Sequence, residues 1–374
     1  MSGGDPQADI ERRVAARHLL MHPLTCDEHD PSAFRLIRRH EAELSRWFTQ
    51  RLGYRLHLDA DTARLFKTGA NITRRPLRTS AGRPLTQLEY TLLALALAAN
   101  AAGPSVVSLR DLVDEIRSAA AEAEIDLTGD ATERRALVTA LRWMIDRGLA
   151  DEMHEHVDAY ATDDEADAVL RVRPDRIALM LVPATAGSES ADELLERAER
   201  RSATRQWMRV RLVEDPVLYR GDVTDAEWNE LRRRLGEEER QLDEMFGLVL
   251  EARAEGVAMI DPTGVLADRR FPATGTLSHA ALLLIEQTST KGPGPIPYES
   301  VVTIVSELAV ANASRWSREY VERPDRLTRD VVNLLCDVGL ADADDDSFRL
   351  LPAAARFEPT ITTSDTADQQ ASLW

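Results

Sequence analysis

The sequence has little of what marks secreted, membrane or zinc-binding proteins. Its 374 residues include only two cysteines, Cys26 and Cys336, which are too few for a disulfide framework or a cysteine-based zinc site. No apolar run has the length of a transmembrane helix, and the polar start predicts no signal peptide. We therefore expect a cytoplasmic protein that makes no membrane contact.

Lysine is also scarce, because Lys67 and Lys291 are the only lysines among 46 basic residues. Asp and Glu number 64, which gives a net charge of −18. Such a surface repels the phosphate backbone at long range, so generic DNA coating is excluded and any DNA contact requires a local basic patch. Aromatic residues make up 5%, so the cores must be mostly aliphatic.

Two segments share one helical pattern and one phrase. "RRALVTALRWMIDRGLADE" and "RDVVNLLCDVGLADADDD" each end a helix on "GLAD", at 148–151 and 339–342. Each is preceded by two further predicted helices and followed by two short strand-like segments around an acidic turn. Three helices and a hairpin in this order are typical of a winged helix, which is a helix-turn-helix with a β wing.

We predict a mainly α fold with small β-hairpins (α+β), built around tandem winged-helix domains. In the N-terminal region we expect a helix over 30–53 that ends at Gly53, followed by a β-hairpin. The predicted domains are 1–83, an N-terminal helical and β-hairpin region; 84–185, the first winged-helix domain; 186–272, linking helices and a small sheet; 273–358, the second winged-helix domain; and 359–374, a disordered tail.

One basic patch stands out against the acidic background. No acidic residue occurs between Thr62 and Leu88. Such a patch predicts phosphate contact, although a solvated loop or a surface that docks on an acidic protein fits the same charges. Its basic residues are Arg64, Lys67, Arg74, Arg75, Arg78 and Arg83.

The two predicted third helices differ in the face opposite their apolar stripe. The first carries Arg135 and Arg142, which suit phosphates or guanine edges. The second carries Arg326, Asp330, Asn333 and Asp337, with no net positive charge. We expect the first to contact DNA and the second to bind protein, the alternative being that both faces are merely solvated.

A search for catalytic chemistry gives no catalytic residue, metal site or cofactor. The chain has no P-loop and no G-x-S-x-G elbow, and neither lysine stands in the acid-x-Lys pattern of a magnesium nuclease. His154 and His156 lack a recognisable third zinc ligand. The acidic run 162–167, with Asp163 and Asp164, leaves a metal-dependent nuclease as a remote alternative.

A family resemblance enters through four segments of the chain. Over about residues 10 to 357, the chain resembles a bacterial family found in four-gene clusters beside an SMC-like ATPase. These clusters are a type of Wadjet, the condensin-like anti-plasmid defence system, and this subunit resembles MukE and the other KITE proteins. The segments are "RRVAARHLLMHPLT", "FRLIRRHEAELSRWFTQRLGYRLHLDADTARLFK", "RRALVTALRWMIDRGLADE" and "EARAEGVAMIDPTGVLADRRFPATGT".

The resemblance implies a non-catalytic, tandem winged-helix subunit that forms a homodimer, binds a kleisin-like subunit and helps to clamp double-stranded DNA. Its other implied partners are the SMC-like ATPase and a toprim-like nuclease subunit, which performs any DNA cleavage. It would then be nucleoid- or plasmid-associated. The alternative function is a free-standing tandem winged-helix transcription regulator, although no sensor domain is recognisable.

Overall fold

The chain forms two compact units. The computed structural model describes residues 5–67, 76–101, 103–180, 190–193, 204–215, 217–290, 292 and 294–357. The first unit comprises Met1–Arg211 and Leu231–Leu248, and the second comprises Leu212–Glu230 and Val249–Trp374. The five-part division expected from the sequence is finer than this and stays a prediction.

Module 1 (residues 6–66) opens the first unit and contains the predicted β-hairpin. The single helix expected over 30–53 is wrong, because the chain breaks at His40, whose Nε2 lies 3.0 Å from Glu11 Oε2 on the preceding helix. A third strand completes an antiparallel sheet in the order β1-β3-β2. The elements are α1 (Pro6–Met21), β1 (Leu24–Cys26), α2 (Pro31–Arg39), α3 (Glu41–Leu52), β2 (Arg55–Leu58) and β3 (Thr62–Phe66).

Module 2 (residues 87–172) contains the three helices and the hairpin expected in this part of the chain. Its helices begin at side-chain caps that can be read from the sequence: Thr86 forms a reciprocal capping box with Glu89, and Ser108 and Asp130 cap the next two helices. The sheet order is β4-β6-β5. The elements are α4 (Gln87–Asn100), β4 (Val106–Ser108), α5 (Leu109–Glu122), α6 (Ala131–Ile145), β5 (Ala150–His154) and β6 (Val169–Val172), followed by α7 (Pro174–Ala178).

Modules 3 (residues 204–260) and 4 (residues 276–350) complete the described chain. Module 3 has one long second helix where module 1 has two short helices. The elements of module 3 are α8 (Thr204–Glu214), β7 (Val217–Tyr219), α9 (Asp225–Phe246), β8 (Val249–Ala252) and β9 (Gly256–Ile260). Those of module 4 are α10 (Thr276–Ser289), β10 (Ile296–Pro297), α11 (Tyr298–Ala311), α12 (Arg318–Glu322), α13 (Pro324–Asp337), β11 (Ala341–Ala343) and β12 (Ser347–Leu350).

One order of elements therefore recurs four times along the described residues: helix, strand, one or more helices, hairpin. In every copy the sheet is antiparallel and the last strand lies between the first two, since the third and fourth sheets have the orders β7-β9-β8 and β10-β12-β11. The predicted mainly α fold with small antiparallel β elements is confirmed. The repetition in modules 1 and 3 was not expected from the sequence.

The four modules also share one joint between the last long helix and the hairpin. In each, the helix is followed by a glycine with a positive φ of 67° to 71° and then by a fully or almost fully buried Tyr or Leu. A left-handed residue at this point ends the helix, and the buried residue after it fixes the start of the hairpin against the core. The four pairs are Gly53-Tyr54, Gly148-Leu149, Gly247-Leu248 and Gly339-Leu340.

A buried arginine attaches the joint of module 2 to module 1. Arg176, on α7, has no exposed side-chain surface and forms ion pairs with Glu28 at 3.2 Å and Asp61 at 2.7 Å. It also donates to the Gly148 carbonyl at 2.9 Å and to Thr62 Oγ1 at 3.1 Å. Because an unpaired buried cation is costly, these partners specify where α7 and the hairpin of module 1 meet.

The close packing around the first "GLAD" predicts an unequal cost for two glycine substitutions. A Cβ at Gly148 would lie 2.9 Å from His29 Cε1 and 3.2 Å from Cys26 Sγ, whereas one at Gly82, also at positive φ, would meet nothing within 4 Å. Gly82→Ala should cost about 1 kcal/mol of backbone strain, and Gly148→Ala about 1 kcal/mol more, chiefly from the overlap with buried Cys26, because the exposed His29 ring can move away. Urea unfolding of both variants tests this, and equal costs would contradict it.

The Arg176 cluster predicts a second stability difference. Arg176→Met removes the cation, leaves two carboxylates facing each other, and should lower the free energy of unfolding by about 3 kcal/mol. Arg318, which pairs with Glu322 and is 91% exposed, provides the control, because exposed pairs contribute little. Urea midpoints measure both, and an Arg176→Met variant as stable as Arg318→Met would show that the buried pairs are not needed.

Candidate nucleic-acid interface

The first two basic residues of the predicted patch, Arg64 and Lys67, make internal contacts. Arg64 lies on β3, donates from Nε to the Leu179 carbonyl at 3.1 Å, and stacks 5.3 Å from the Phe66 ring centre. Burial lowers the pKa of its guanidinium. Lys67, directly after β3, donates from Nζ to the Leu20 carbonyl at 2.7 Å. Both side chains are therefore held against backbone carbonyls and only partly exposed.

The end of the patch is partly neutralised. Arg74 and Arg75 lie outside the described residues. Arg78 donates to the Gly82 carbonyl at 2.9 Å within a short turn. Arg83 is bidentate with Glu89, at 3.0 Å and 2.6 Å, and this carboxylate raises the pKa of Arg83.

The outer face of α6 contains two arginines in different electrostatic states. Arg135 is exposed, and among the described residues its guanidinium bonds only to its own helix, at the Ala131 carbonyl and Thr132 Oγ1. Arg142, two turns along, bonds to Asp158 Oδ1 at 2.9 Å and to Glu152 Oε2 at 3.0 Å. The hydrogen bonds that Arg142 donates to Asp158, and then those to Glu152, raise the pKa of its guanidinium, although burial opposes them.

Glu152 is the centre of this second arrangement. Its carboxylate accepts from the Val157 amide at 2.8 Å and lies 2.9 Å from His156 Nδ1, in addition to bonding Arg142. Burial alone would raise the pKa of Glu152, but the hydrogen bonds from His156, Val157 and Arg142 lower it overall. Arg142 thus fastens the segment after β5 to α6, and its charge is already matched by two carboxylates.

The corresponding face of α13 is held in internal ion pairs. Arg326 pairs with Glu319 and lies 3.7 Å from Asp330, whose carboxylate also accepts from the Tyr320 hydroxyl at 3.1 Å. Asp337 pairs with Arg269. This face keeps the lack of positive charge read from the sequence, so it does not suit phosphate.

The residues considered for metal chemistry do not assemble into a cluster. His154 and His156 have side chains 75% and 76% exposed, and within the described ranges no group of three His, Cys, Asp or Glu residues could hold a metal ion. Asp163 accepts from the Glu165 amide and Asp344 accepts from two following amides. These carboxylates stabilise the turns that contain them.

Two exposed arginines of module 1, outside the stretch free of acidic residues, are further candidates for contact with phosphate. Arg35 on α2 and Arg46 on α3 are exposed and form no hydrogen bond or ion pair with any described residue. Residues 31–88 contain twelve basic and four acidic residues. This excess of basic residues in the longer stretch is the sequence feature that points to Arg35 and Arg46.

Comparison with known proteins assigns the family but adds no activity. A family model described as "Protein of unknown function (DUF2398)" matches residues 16–360, and the chain belongs to this family. Neither the curated proteins nor the solved structures gave a significant match. In the part of the chain that the structure describes, no helix is long and apolar enough to cross a bilayer.

The contrast between Arg135 and Arg142 yields a test of the interface. Arg135→Gln should weaken duplex binding and flatten the dependence of log K on log salt by about 1, because one phosphate contact releases about one counterion. Arg142→Gln should change the slope little, because Glu152 and Asp158 already balance that charge. Fluorescence anisotropy with a duplex at several salt concentrations measures both, and equal slopes for the two variants would refute the assignment.

Proposed function

We propose that this protein is a non-catalytic KITE-type subunit of an SMC-like, Wadjet-type complex that binds a kleisin-like subunit and helps to clamp DNA. The observation that carries the proposal is the recurrence of one module in modules 2 and 4, with the same element order, strand order and joint. We interpret each as a winged helix, the architecture that the family resemblance implies. The proposed partners are the kleisin-like subunit, the SMC-like ATPase, double-stranded DNA and the toprim-like nuclease subunit.

The difference between the two modules supports a division of labour. In module 2, Arg135 is exposed and bonds to no carboxylate among the residues that the structure describes, whereas the face in module 4 has internally paired acids and bases. Because the chain has a net charge of −18, it repels the DNA backbone except at such local basic areas. We propose that module 2 contacts DNA and that module 4 contacts protein.

The resemblance also predicts self-association. The chain would supply it either between two copies or between its own repeated modules. In the proposed role the protein works in the cytoplasm, on the nucleoid or on plasmids.

Co-purification tests the proposal. Expressed together with the kleisin-like and SMC-like products of its own gene cluster, the tagged full chain should retain both through size exclusion, in defined stoichiometry. A chain that leaves both proteins behind yet binds one duplex sequence far better than others would support a transcription regulator instead.

A nicking assay addresses the nuclease alternative. The isolated chain should not cleave plasmid DNA with magnesium or manganese. Metal-dependent nicking that is lost in Asp163→Ala/Asp164→Ala would contradict a non-catalytic role.

A further inference from the structure

A reciprocal contact joins two helix ends within the first unit. Arg13 on α1 donates from Nη2 to the carbonyls of Asp243, at 2.7 Å, and Glu244, at 3.4 Å. Gln206 on α8 donates from Nε2 to the carbonyls of Thr49, at 3.2 Å, and Gln50, at 3.4 Å. In both contacts a side chain of a first helix satisfies carbonyls at the end of another module's last helix, where intrahelical donors run out.

The two contacts occupy equivalent positions in their modules. Asp243 and Glu244 stand four and three residues before Gly247, and Thr49 and Gln50 stand four and three residues before Gly53. The donors also match, because Arg13 and Gln206 each stand eleven residues before the strand that follows their helix, at Leu24 and Val217 respectively.

The two joint glycines, Gly53 and Gly247, lie next to the same two side chains in the same reciprocal way. A Cβ at Gly53 would lie 3.1 Å from Gln206 Oε1, and a Cβ at Gly247 would lie 3.1 Å from Arg13 Nη1. Each joint is therefore closely covered by the first helix of the other module. A contact in which i meets j and j meets i is the signature of a twofold, self-complementary interface.

Apolar packing accompanies this exchange. Phe246 is fully buried, and its ring lies edge-on to that of Trp47, with the two ring centres 5.0 Å apart. The ring centre of Phe48 lies 6.2 Å from that of Phe246. Arg17 adds a further bond from Nη1 to the Phe246 carbonyl at 2.6 Å. Aromatic contacts and charge-assisted bonds of this kind make a stable interface rather than a passing contact.

We infer that the chain is an internally duplicated pseudo-dimer, in which α1 and α3 pair with α8 and the C-terminal half of α9 as two copies of one subunit would. The surface of module 1 that would accept a second copy is already occupied by residues of the same chain. A single chain is then complete at this interface. The pairing expected from the sequence between two copies is then made within one chain. If the proposed function holds, one chain takes the place of two two-module subunits in the complex.

Solution mass is the first test and is independent of any partner. Light scattering on the full chain should give 41.7 kDa, the mass of one chain, at all protein concentrations. A concentration-independent mass of two chains that falls to one in Arg13→Glu/Gln206→Glu would mean that the reciprocal contact forms between copies, and would overturn the inference.

Exchange of the two donors is the second test. Arg13→Gln and Gln206→Arg should each melt close to the wild type, because a donor is kept at both positions, and the pair of Arg13 with the Asp243 carboxylate, at 3.7 Å, is exposed and contributes little. Arg13→Glu and Gln206→Glu place a carboxylate against helix C-terminal carbonyls and should each lower the melting temperature by roughly 2 to 4 °C. Arg315→Glu, an exposed position on the second unit, controls for the charge change.

The melting temperatures of these variants decide whether Arg13 and Gln206 hold equivalent positions or resemble each other by chance. Tolerance of Arg and Gln at both sites together with loss on Glu at both supports the pseudo-dimer. Loss of stability in Gln206→Arg, or no effect of Gln206→Glu, would overturn it. If the co-purification fails but the melting temperatures follow the expected pattern, the proposed function is wrong and the pseudo-dimer still holds.

Discussion

The contact between the first two modules of the first unit depends on one buried cation, Arg176. Arg176 cannot be buried without carboxylates and carbonyls around it, because the cost of removing a guanidinium from water exceeds the stability that most single contacts give. Glu28, Asp61 and Thr62 come from module 1, and the Gly148 carbonyl comes from the joint of module 2. One side chain therefore fixes two modules against each other at the point where the helix of module 2 turns into its hairpin.

Repetition of one module allows surfaces to diverge while the cores stay alike. The buried positions and the joint glycine define each copy, and these restrict the outer faces very little. Module 2 has an exposed Arg135 on its last helix, whereas module 4 has Asp330 and Asp337 in ion pairs on the equivalent helix. Duplication thus supplies a common scaffold, and the chemistry offered to partners depends on a few exposed positions.

What could be predicted from the sequence was local. The caps at Thr86 and Ser108 and the two "GLAD" joints were readable because the residues that form them lie within a few positions of each other. The repeats in modules 1 and 3 were not predictable from the phrase "GLAD", because only its glycine and a buried residue after it are present there. The neutralisation of Arg142 could not be predicted either, because its partner Asp158 is sixteen residues away and the fold alone brings the two together.

The glycine carbonyls of the two "GLAD" joints accept from different donors: Gly148 from the charged Arg176 and Gly339 from the neutral Tyr219. The Gly339 carbonyl accepts from the Tyr219 hydroxyl at 2.7 Å, and burial raises the pKa of this phenol to about 12. The phenol is neutral and stays a donor from acid through neutral pH. At the Gly148 joint, burial alone would raise the pKa of Asp61, but hydrogen bonds from Arg176 and Thr62 lower it overall. Its contribution is therefore present above the ordinary pKa of an aspartate and is lost as the pH falls below it. Acidification therefore weakens the carboxylate contact that holds Arg176 at the Gly148 joint, whereas the bond from Tyr219 to the Gly339 carbonyl involves no carboxylate.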